Sequence, residues 1–172
     1  MIYLDTSALI KLYIREAGSE AVQALIAAQD EPLPIWELQE AELINALRLK
    51  VFWKDITKAQ AEAQIDHFEE RKRRGLYYFP EIRRADLMAT FRQLSQQTPR
   101  LGCRTMDILH VACALQLAHQ VFVSFDLRQR TLAAQADCRL PNWVRRAGWF
   151  IRGLPAFPDR TAADSVPPGT CF

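Results

Sequence analysis

The sequence uses one local design twice: a short apolar run, then an aspartate, then a segment with a helical pattern. Asp5 follows the apolar residues 2–4, and Asp126 follows the apolar residues 121–125. Short buried strands that alternate with helices are typical of a parallel sheet covered on both faces. We therefore predict an α/β fold of three layers, in which a central, mainly parallel sheet is flanked by helices.

Apolar periodicity and turn residues predict the other elements. We expect the first helix to be capped by Thr6 or Ser7, and the long apolar helix after Gly102 to be capped by Thr105. The predicted strands cover 2–4, 33–36, 76–79 and 121–125. The later helices are predicted at 19–28, 37–53, 58–74, 82–97, 106–119 and 127–136, with a loop at 99–102.

The two aspartates are predicted to lie at the same edge of the sheet. Parallel strands present their carboxyl ends at one edge, and the ligands of such sheets bind beyond that edge. Asp5 and Asp126 would therefore emerge side by side. Taken singly, each also has a simpler interpretation as a turn residue or a helix cap.

Glu42 is predicted to lie on a helix with few solvated faces. It shares one face with Leu38 and Leu49, and Leu43 and Leu47 make the opposite side apolar as well. An unpaired carboxylate in such surroundings costs several kcal/mol. Glu42 should therefore have a partner, either an arginine in an interior salt bridge or a metal ion.

Asp107 falls in the first turn of a predicted helix. The helix dipole favours an anion there, so a purely local role is one interpretation. However, Asp107 shares a face with His110, Val111 and Ala114, on a side expected to pack inward. We interpret His110 as a packed, hydrogen-bonded core histidine and not as a metal ligand.

Four carboxylates at one place would repel one another unless a cation neutralised them. A hard divalent cation such as Mg²⁺ prefers oxygen ligands and takes one or two carboxylates besides water. A second ion would permit the two-metal clamp of phosphodiester hydrolysis. The hydroxyls of Thr6 and Ser124 stand beside the acids and could orient a water molecule or a phosphate oxygen, although a cap or a strand position is the simpler interpretation of each.

Four stretches of the sequence carry a family resemblance. They are Ile-Tyr-Leu-Asp5-Thr-Ser-Ala-Leu, Glu42-Leu-Ile-Asn-Ala-Leu, Arg104-Thr-Met-Asp107-Ile-Leu-His-Val-Ala and Phe-Val-Ser-Phe-Asp126. In this order they resemble PIN domains, with the greatest likeness to VapC-type toxins of bacterial toxin–antitoxin pairs. The resemblance covers residues 1–136.

The resemblance implies a metal-dependent endoribonuclease that hydrolyses RNA phosphodiester bonds as the toxin of a type II toxin–antitoxin pair. The residues that match the family's acids and would hold Mg²⁺ or Mn²⁺ are Asp5, Glu42, Asp107 and Asp126. Asp5 and Asp107 are expected to be the firmest ligands, with Glu42 next and Asp126 acting through water. Thr6 is the hydroxyl residue after the first acid. The resemblance also implies a homodimer and, besides RNA, a VapB-like antitoxin as partner.

The composition fits one globular domain, because 49% of the 172 residues are hydrophobic and 24% are charged. No apolar run is long enough for a transmembrane helix, and the N-terminus has no signal-peptide pattern, so we expect a cytoplasmic protein. The net charge of +2 is too small to indicate a nucleic-acid partner. Local basic clusters at 71–74, 83–84 and 145–146 are either solvated faces or a path for phosphates.

The cysteines do not indicate a metal site. None of Cys103, Cys113, Cys138 and Cys171 forms a C-x-x-C pair, and the histidines do not combine with them at zinc spacing. Cys113 lies in an apolar helical run and is predicted to be a small core residue. Disulfides are not expected in a cytoplasmic protein.

The predicted PIN-like nuclease domain covers residues 1–140, and residues 141–172 form an atypical C-terminal extension. The extension contains Trp143, Trp149 and several prolines, and it matches no PIN pattern. Two interpretations of it are open: a disordered extension, or the product of a shifted reading frame that replaced the last strand.

Two other functions are alternatives to the ribonuclease. A phosphatase of the haloacid-dehalogenase type would need a second aspartate two residues after Asp5, where Ser7 stands instead. The second alternative is a non-catalytic PIN-like module that binds RNA or an antitoxin. The presence of all four acids argues against this alternative, whereas the atypical extension keeps it open.

Overall fold

The computed structural model describes residues 2–118 and 121–141. Strands and helices alternate along this part of the chain, as predicted. The strands are β1 (Ile2–Leu4), β2 (Leu33–Pro34), β3 (Tyr77–Tyr78) and β4 (Val121–Val123). The helices are α1 (Thr6–Leu9), α2 (Ser19–Ala27), α3 (Glu37–Phe52), α4 (Lys58–Arg73), α5 (Arg84–Ser95), α6 (Thr98–Leu101), α7 (Thr105–Gln116) and α8 (Leu127–Gln135), with a 3-10 turn at Ile10–Leu12 after α1.

The strands pair in parallel, which confirms the predicted sheet type. β1 pairs with β4 so that Leu4 lies opposite Val123, and β2 pairs with β3. β2 also contacts β1, although the hydrogen-bonded ladders are two separate pairs. Because β1 and β4 run in the same direction and in register, the residues that follow them leave the sheet at one edge.

Alternation along β1 divides the core into two clusters and produces the three layers. Ile2 and Leu4 pack into a cluster with residues of α1, α2, α3 and α4. Tyr3 points to the other side and packs with residues of α5, α7 and α8. Successive strand residues face opposite sides of a sheet, so these strands are buried on both faces. The predicted α/β fold with helices flanking a parallel sheet is confirmed.

Several predictions of helix ends need correction. The cap of α1 is Asp5, not Thr6 or Ser7, because the Asp5 carboxylate accepts the hydrogen bond from the Ala8 N–H. The cap of α7 is Arg104, one residue before the predicted Thr105. Residues 99–102 were predicted to be a loop, but the short helix α6 occupies Thr98–Leu101. Proline is tolerated in a first helical turn, where its missing N–H would have had no partner, and Pro99 lies there.

After α8 the chain returns to the sheet. The Phe122 N–H donates to the carbonyl oxygen of Arg139 at 2.8 Å, and Arg139 forms a parallel bridge with Val121. Residues 142–172, which make up nearly all of the predicted extension, lie outside the described residues. Cys103, Cys113 and Cys138 are buried free thiols, as expected for Cys113, and Cys171 lies outside the described part. Among the described helices, none has the length and apolar character needed to cross a membrane.

Candidate active site

Asp5 lies at the carboxyl end of β1 and is only 4% exposed. Its N–H donates to the Val123 carbonyl oxygen of β4, which continues the ladder one residue beyond the strands. Its carboxylate accepts hydrogen bonds from the Ser7 hydroxyl, from the Ser124 hydroxyl at 2.8 Å and from the Ala8 N–H at 2.8 Å. The side chain is therefore held in one orientation by donors from both strand ends.

Glu42 contacts His110, and not the arginine that was considered for it. The Nε2 atom of His110 lies 2.6 Å from the Glu42 Oε2 atom, and the Thr6 hydroxyl donates to the same oxygen at 2.7 Å. The Nδ1 atom of His110 lies 2.9 Å from the Tyr3 hydroxyl. His110 is thus a packed and hydrogen-bonded histidine as predicted, but it also belongs to the acidic site, which the sequence interpretation missed.

The face of α3 that carries Glu42 is more open than predicted. Leu43 and Leu47, on the opposite side, are fully buried, whereas Leu49 is 37% and Phe52 is 78% exposed. The Glu42 side chain itself is 28% exposed. Glu42 therefore lies at a rim between the core and the solvent.

Asp107 and Asp126 are half-buried and begin the last two helices. Asp107 Oδ2 accepts from the Arg104 N–H at 2.7 Å, and Asp126 Oδ1 accepts from the Gln129 N–H at 3.0 Å. The Gln129 side chain, which is 1% exposed, donates to the main-chain oxygen of Asp107 at 3.3 Å. Asp5, Asp107 and Asp126 thus all have the local cap role that was the simpler alternative for them. The same hydrogen bonds hold the positions of their carboxylates.

The four predicted acids belong to one ring of neighbouring residues. Ser124 donates to Asp5 and accepts from the Asp126 N–H at 3.0 Å, so it joins the first and last acids. His110 lies one helical turn after Asp107 on α7 and reaches Glu42. In order, the ring runs through Asp5, Ser124, Asp126, Gln129, Asp107, His110, Glu42 and Thr6.

Sequence reasoning had named five members of this ring as site residues and had weighed Ser124 as a sixth. It missed Gln129 altogether, and it placed His110 in the core alone. The spacing of His110 three residues after Asp107 was the available signal, because residues at this spacing share a helix face. Nothing in a single sequence links Gln129 to Asp107.

Burial and hydrogen bonding shift the pKa values of Asp5 and Glu42 in opposite directions. Burial raises the pKa of Asp5 above its ordinary value, although His110 and the donors to its oxygens act in the opposite direction. Burial would also raise the pKa of Glu42, but the hydrogen bonds from His110 and Thr6 outweigh it, so that this pKa is lowered. Glu42 is therefore the more firmly ionised of the two.

The two acids of the last helices are close enough to interact. Burial raises the pKa of Asp107, the Arg104 N–H opposes this shift, and the negative charge of Asp126 adds to it. A like charge close by disfavours ionisation, and a cation between the two carboxylates would remove the cost. This is the place in the site where positive charge is most needed.

The donor set fits a hard divalent cation in its chemistry. The four acids supply only oxygen atoms, which Mg²⁺ and similar ions prefer. No group of three or more His, Cys, Asp or Glu side chains is placed to hold an ion within residues 2–118 and 121–141. Since Mg²⁺ usually takes one or two protein carboxylates and completes its shell with water, a pair such as Asp107 and Asp126 meets its requirement.

Half of the basic residues in the described clusters pair with an acid. Lys72 pairs with Glu40 at 2.9 Å, Arg73 with Glu70 at 2.8 Å and Arg83 with Asp86 at 3.3 Å. Residues 145–146 lie outside the described part. Arg71 lies over the rings of Tyr13 and Tyr77, and both interpretations of the clusters stay open.

Comparison with known proteins agrees with the fold. The sequence model of the PIN domain matches residues 2–135, well over half of the chain, and the chain belongs to the PIN-domain family. PIN-domain nucleases generally use divalent metal ions. The match ends close to the end of α8, at Gln135.

A solved structure of similar fold is that of Mycobacterium tuberculosis VapC20, a toxin described as cleaving the sarcin-ricin loop. The match has a TM-score of 0.57 and 15% sequence identity, and it covers 76% of this chain and 94% of VapC20. At this identity the similarity establishes a shared fold. No curated protein matches the sequence.

Proposed function

We propose that the protein is a metal-dependent endoribonuclease that hydrolyses RNA phosphodiester bonds, and that it is the toxin of a bacterial type II toxin–antitoxin pair. The observation that carries this proposal is the ring of contacts that joins Asp5, Glu42, Asp107 and Asp126 in a PIN-family fold. The fold similarity to the toxin VapC20 supports the same class of activity.

In this proposal the four acids hold Mg²⁺ or Mn²⁺. An ion held by these acids would supply Lewis-acid chemistry, because it would lower the pKa of a water molecule and offset negative charge on the leaving oxygen of the phosphodiester. Asp5 contributes a fixed carboxylate, since three donors hold it. Asp107 and Asp126 each accept one main-chain N–H, so most of their lone pairs stay available for ligands.

Thr6 is proposed to act at the mouth of the site. Its hydroxyl proton is directed to Glu42 at 2.7 Å, so its oxygen can accept a hydrogen bond from a water molecule or an RNA hydroxyl. Glu42 is at the same time kept ionised by this bond and by His110. Thr6 thus orients a water molecule or an RNA hydroxyl, and the acids supply the negative charge that attracts the metal.

The proposed partners are an RNA substrate, a VapB-like antitoxin and a second copy of the chain in a homodimer, in the cytoplasm. The proposed nuclease domain covers residues 1–140, and residues 141–172 are an extension outside it. The sarcin-ricin loop, which VapC20 is described as cleaving, is one RNA to include in the tests.

The test is RNA cleavage by the purified full chain and three variants, in Mg²⁺, in Mn²⁺ and with the metal chelated. Asp5→Asn and Asp107→Asn should each lower the cleavage rate by about 10³-fold or more, the scale of removing a group required in the transition state. Asp66→Asn is the matched control, because Asp66 is an exposed acid on α4 away from the ring. It should cleave like the wild type.

Equal cleavage by the wild type and Asp5→Asn, with both folded by circular dichroism, would contradict the proposal. Cleavage that persists after chelation would contradict the metal requirement. RNA binding without cleavage by the wild type would favour the non-catalytic binding module instead.

A further inference from the structure

The contact between His110 and Glu42 joins a buried histidine of α7 to an acid at the rim of the site. His110 is 3% exposed, and its two ring nitrogens each have a partner on a different element: Tyr3 on β1 and Glu42 on α3. The four-acid mechanism itself does not require a histidine. The contact therefore calls for a separate explanation.

The roles of the donors follow from the chemistry of the groups. An ionised carboxylate only accepts hydrogen bonds, so the Nε2 atom of His110 carries the proton shared with Glu42. The Nδ1 atom lies 2.9 Å from the Tyr3 hydroxyl, which donates to it when the ring is neutral and accepts from it when the ring is charged. Tyr3 is fully buried and its ring stacks on Phe122 with centroids 5.7 Å apart. The rigid Tyr3 side chain thus holds the His110 ring at its Nδ1 atom.

The two donors to Glu42 converge on a single oxygen. His110 and Thr6 both contact Oε2, at 2.6 and 2.7 Å. A carboxylate oxygen has about two lone-pair positions, so two hydrogen bonds fill Oε2. Oε1 has no hydrogen bond from any described residue, and it remains the oxygen of Glu42 that can bind a ligand.

We infer that His110, held by Tyr3, is a positioning residue that makes Glu42 act through Oε1 alone and thereby favours Mg²⁺ and Mn²⁺ over Ca²⁺. This inference rests on the proposed function. Ca²⁺ accommodates roughly six to eight oxygen ligands and often takes both oxygens of one carboxylate, whereas Mg²⁺ requires a small octahedral shell. To bind Ca²⁺ with both oxygens, Glu42 would have to give up its hydrogen bonds to His110 and Thr6.

The experiment measures metal binding without RNA. Mn²⁺ and Ca²⁺ are titrated separately into the full-length wild type, His110→Leu and His110→Gln, by calorimetry and by the shift in Tm at one pH. His110→Leu should weaken Mn²⁺ binding about 10–100-fold, the usual loss when a partner of a metal ligand is removed. It should weaken Ca²⁺ binding less, so that the preference for Mn²⁺ falls. His110→Gln keeps an N–H donor and should lie between His110→Leu and the wild type.

Two further variants separate positioning from general loosening. Val111→Ala leaves a cavity at a fully buried position of the same helix, without touching Glu42, and should keep the wild-type metal preference. Tyr3→Phe removes only the hydroxyl that holds His110, and should lower Mn²⁺ affinity in the same direction as His110→Leu by a smaller factor. If His110→Leu does not fold, Tyr3→Phe tests whether His110 positions Glu42.

The cleavage assay adds a kinetic distinction. His110→Leu should need about 10–100-fold more Mn²⁺ for half-maximal cleavage, with an unchanged KM for RNA at saturating metal. Wild-type metal affinity and preference in His110→Leu, or an equal loss in Val111→Ala, would overturn the inference and leave the ribonuclease proposal standing. A wild type that binds neither ion and cleaves no RNA would overturn both.

Discussion

The two halves of the acidic site are built differently. The half formed by Asp5 and Glu42 is held by side chains: Ser7 and Ser124 donate to Asp5, and His110 and Thr6 donate to Glu42. In the half formed by Asp107 and Asp126, each carboxylate accepts only one described main-chain N–H. The first half has a fixed geometry before any ligand arrives, and the second has spare acceptor capacity and two carboxylates whose charges interact.

This difference suggests a division of work within the proposed nuclease. A fixed carboxylate provides a defined position for a reacting group, which is the structural basis of pre-organisation. Burial raises the pKa of Asp107 and the charge of Asp126 adds to this shift, so a cation between these two carboxylates would be stabilised. We therefore expect substitution of an acid in the first half to cost more stability in the absence of metal than substitution of an acid in the second half.

The largest effect is expected where the two halves join, at Gly18. A Cβ atom on Gly18 would lie 2.5 Å from the Phe125 ring, and Gly18 has φ of +89°. The Phe125 N–H donates to Ser7, and Asp126 follows it. Gly18→Ala should therefore cost roughly 2–4 kcal/mol of unfolding free energy, from overpacking and backbone strain together.

Gly75→Ala is the control for the backbone part of that cost. Gly75 has φ of +73° but nothing within 4 Å of an added Cβ, so it should lose only about 1 kcal/mol. Urea unfolding of both variants measures the difference. Equal losses would mean that the Phe125 contact does not matter.

The next effect contrasts the two halves directly. Asp5→Ala leaves the buried Ser124 hydroxyl and the Ala8 N–H without their acceptor, which should cost about 2 kcal/mol after the relief of a buried charge is counted. Asp107→Ala loses one N–H contact at a half-buried position and should cost about 1 kcal/mol or less. Urea unfolding at pH 7 without metal compares them, and an Asp107→Ala loss equal to that of Asp5→Ala would contradict the distinction.

The edge of the sheet was the more predictable part of the site. The repeated design of apolar strand, aspartate and helix was enough to predict a parallel sheet with Asp5 and Asp126 at one edge, because strand direction alone determines that edge. The donors were harder to predict. Asp5 and Ser124 are 119 residues apart, and His110 and Glu42 are 68 residues apart. Such pairs depend on how helices pack, which a single sequence does not encode locally.

The prediction for α3 failed for a related reason. Apolar residues on both sides of Glu42 indicated a helix without a solvated face, yet Phe52 is 78% exposed. Periodicity shows which residues share a face, but not whether another element covers that face. Whether Glu42 was interior or at a rim could be seen only once α3 had been placed against its neighbours.

A smaller effect should appear in the stability of Asp107→Asn. The folded-state pKa of Asp107 is raised, so its ionised form costs stability above that pKa, and the cost vanishes as pH falls below the ordinary carboxyl value. Asn should therefore raise Tm at pH 7 without metal, by about 2–4 °C for each kcal/mol of relief in a chain of this size.

The gain from Asp107→Asn should be much smaller near pH 3.5, where most Asp107 carboxyl groups are protonated. Thermal scans at pH 7 and pH 3.5 check it. A gain that is the same at both values would show that the charge of Asp107 is not its cause.

The smallest effect is expected at Gln129, which bridges the helices of the second half. Its side chain makes one hydrogen bond, at 3.3 Å, and its buried Oε1 atom has no partner among the described residues. The loss of a weak hydrogen bond is nearly offset by the removal of an unsatisfied buried acceptor. The free energy of unfolding of Gln129→Leu should therefore stay within about 1 kcal/mol of the wild-type value. Urea unfolding measures this, and a loss of several kcal/mol would show that the bridge is essential for the fold.

The most direct test of the whole account is a crystal structure of the wild type soaked in Mn²⁺, with an anomalous difference map to locate the ion. We expect a peak in contact with carboxylate oxygens of Asp107 or Asp126, on the side facing Asp5. The proposal would be contradicted if Mn²⁺ bound at high occupancy elsewhere in the crystal and gave no peak beside these acids. A peak distant from all four acids would also contradict it.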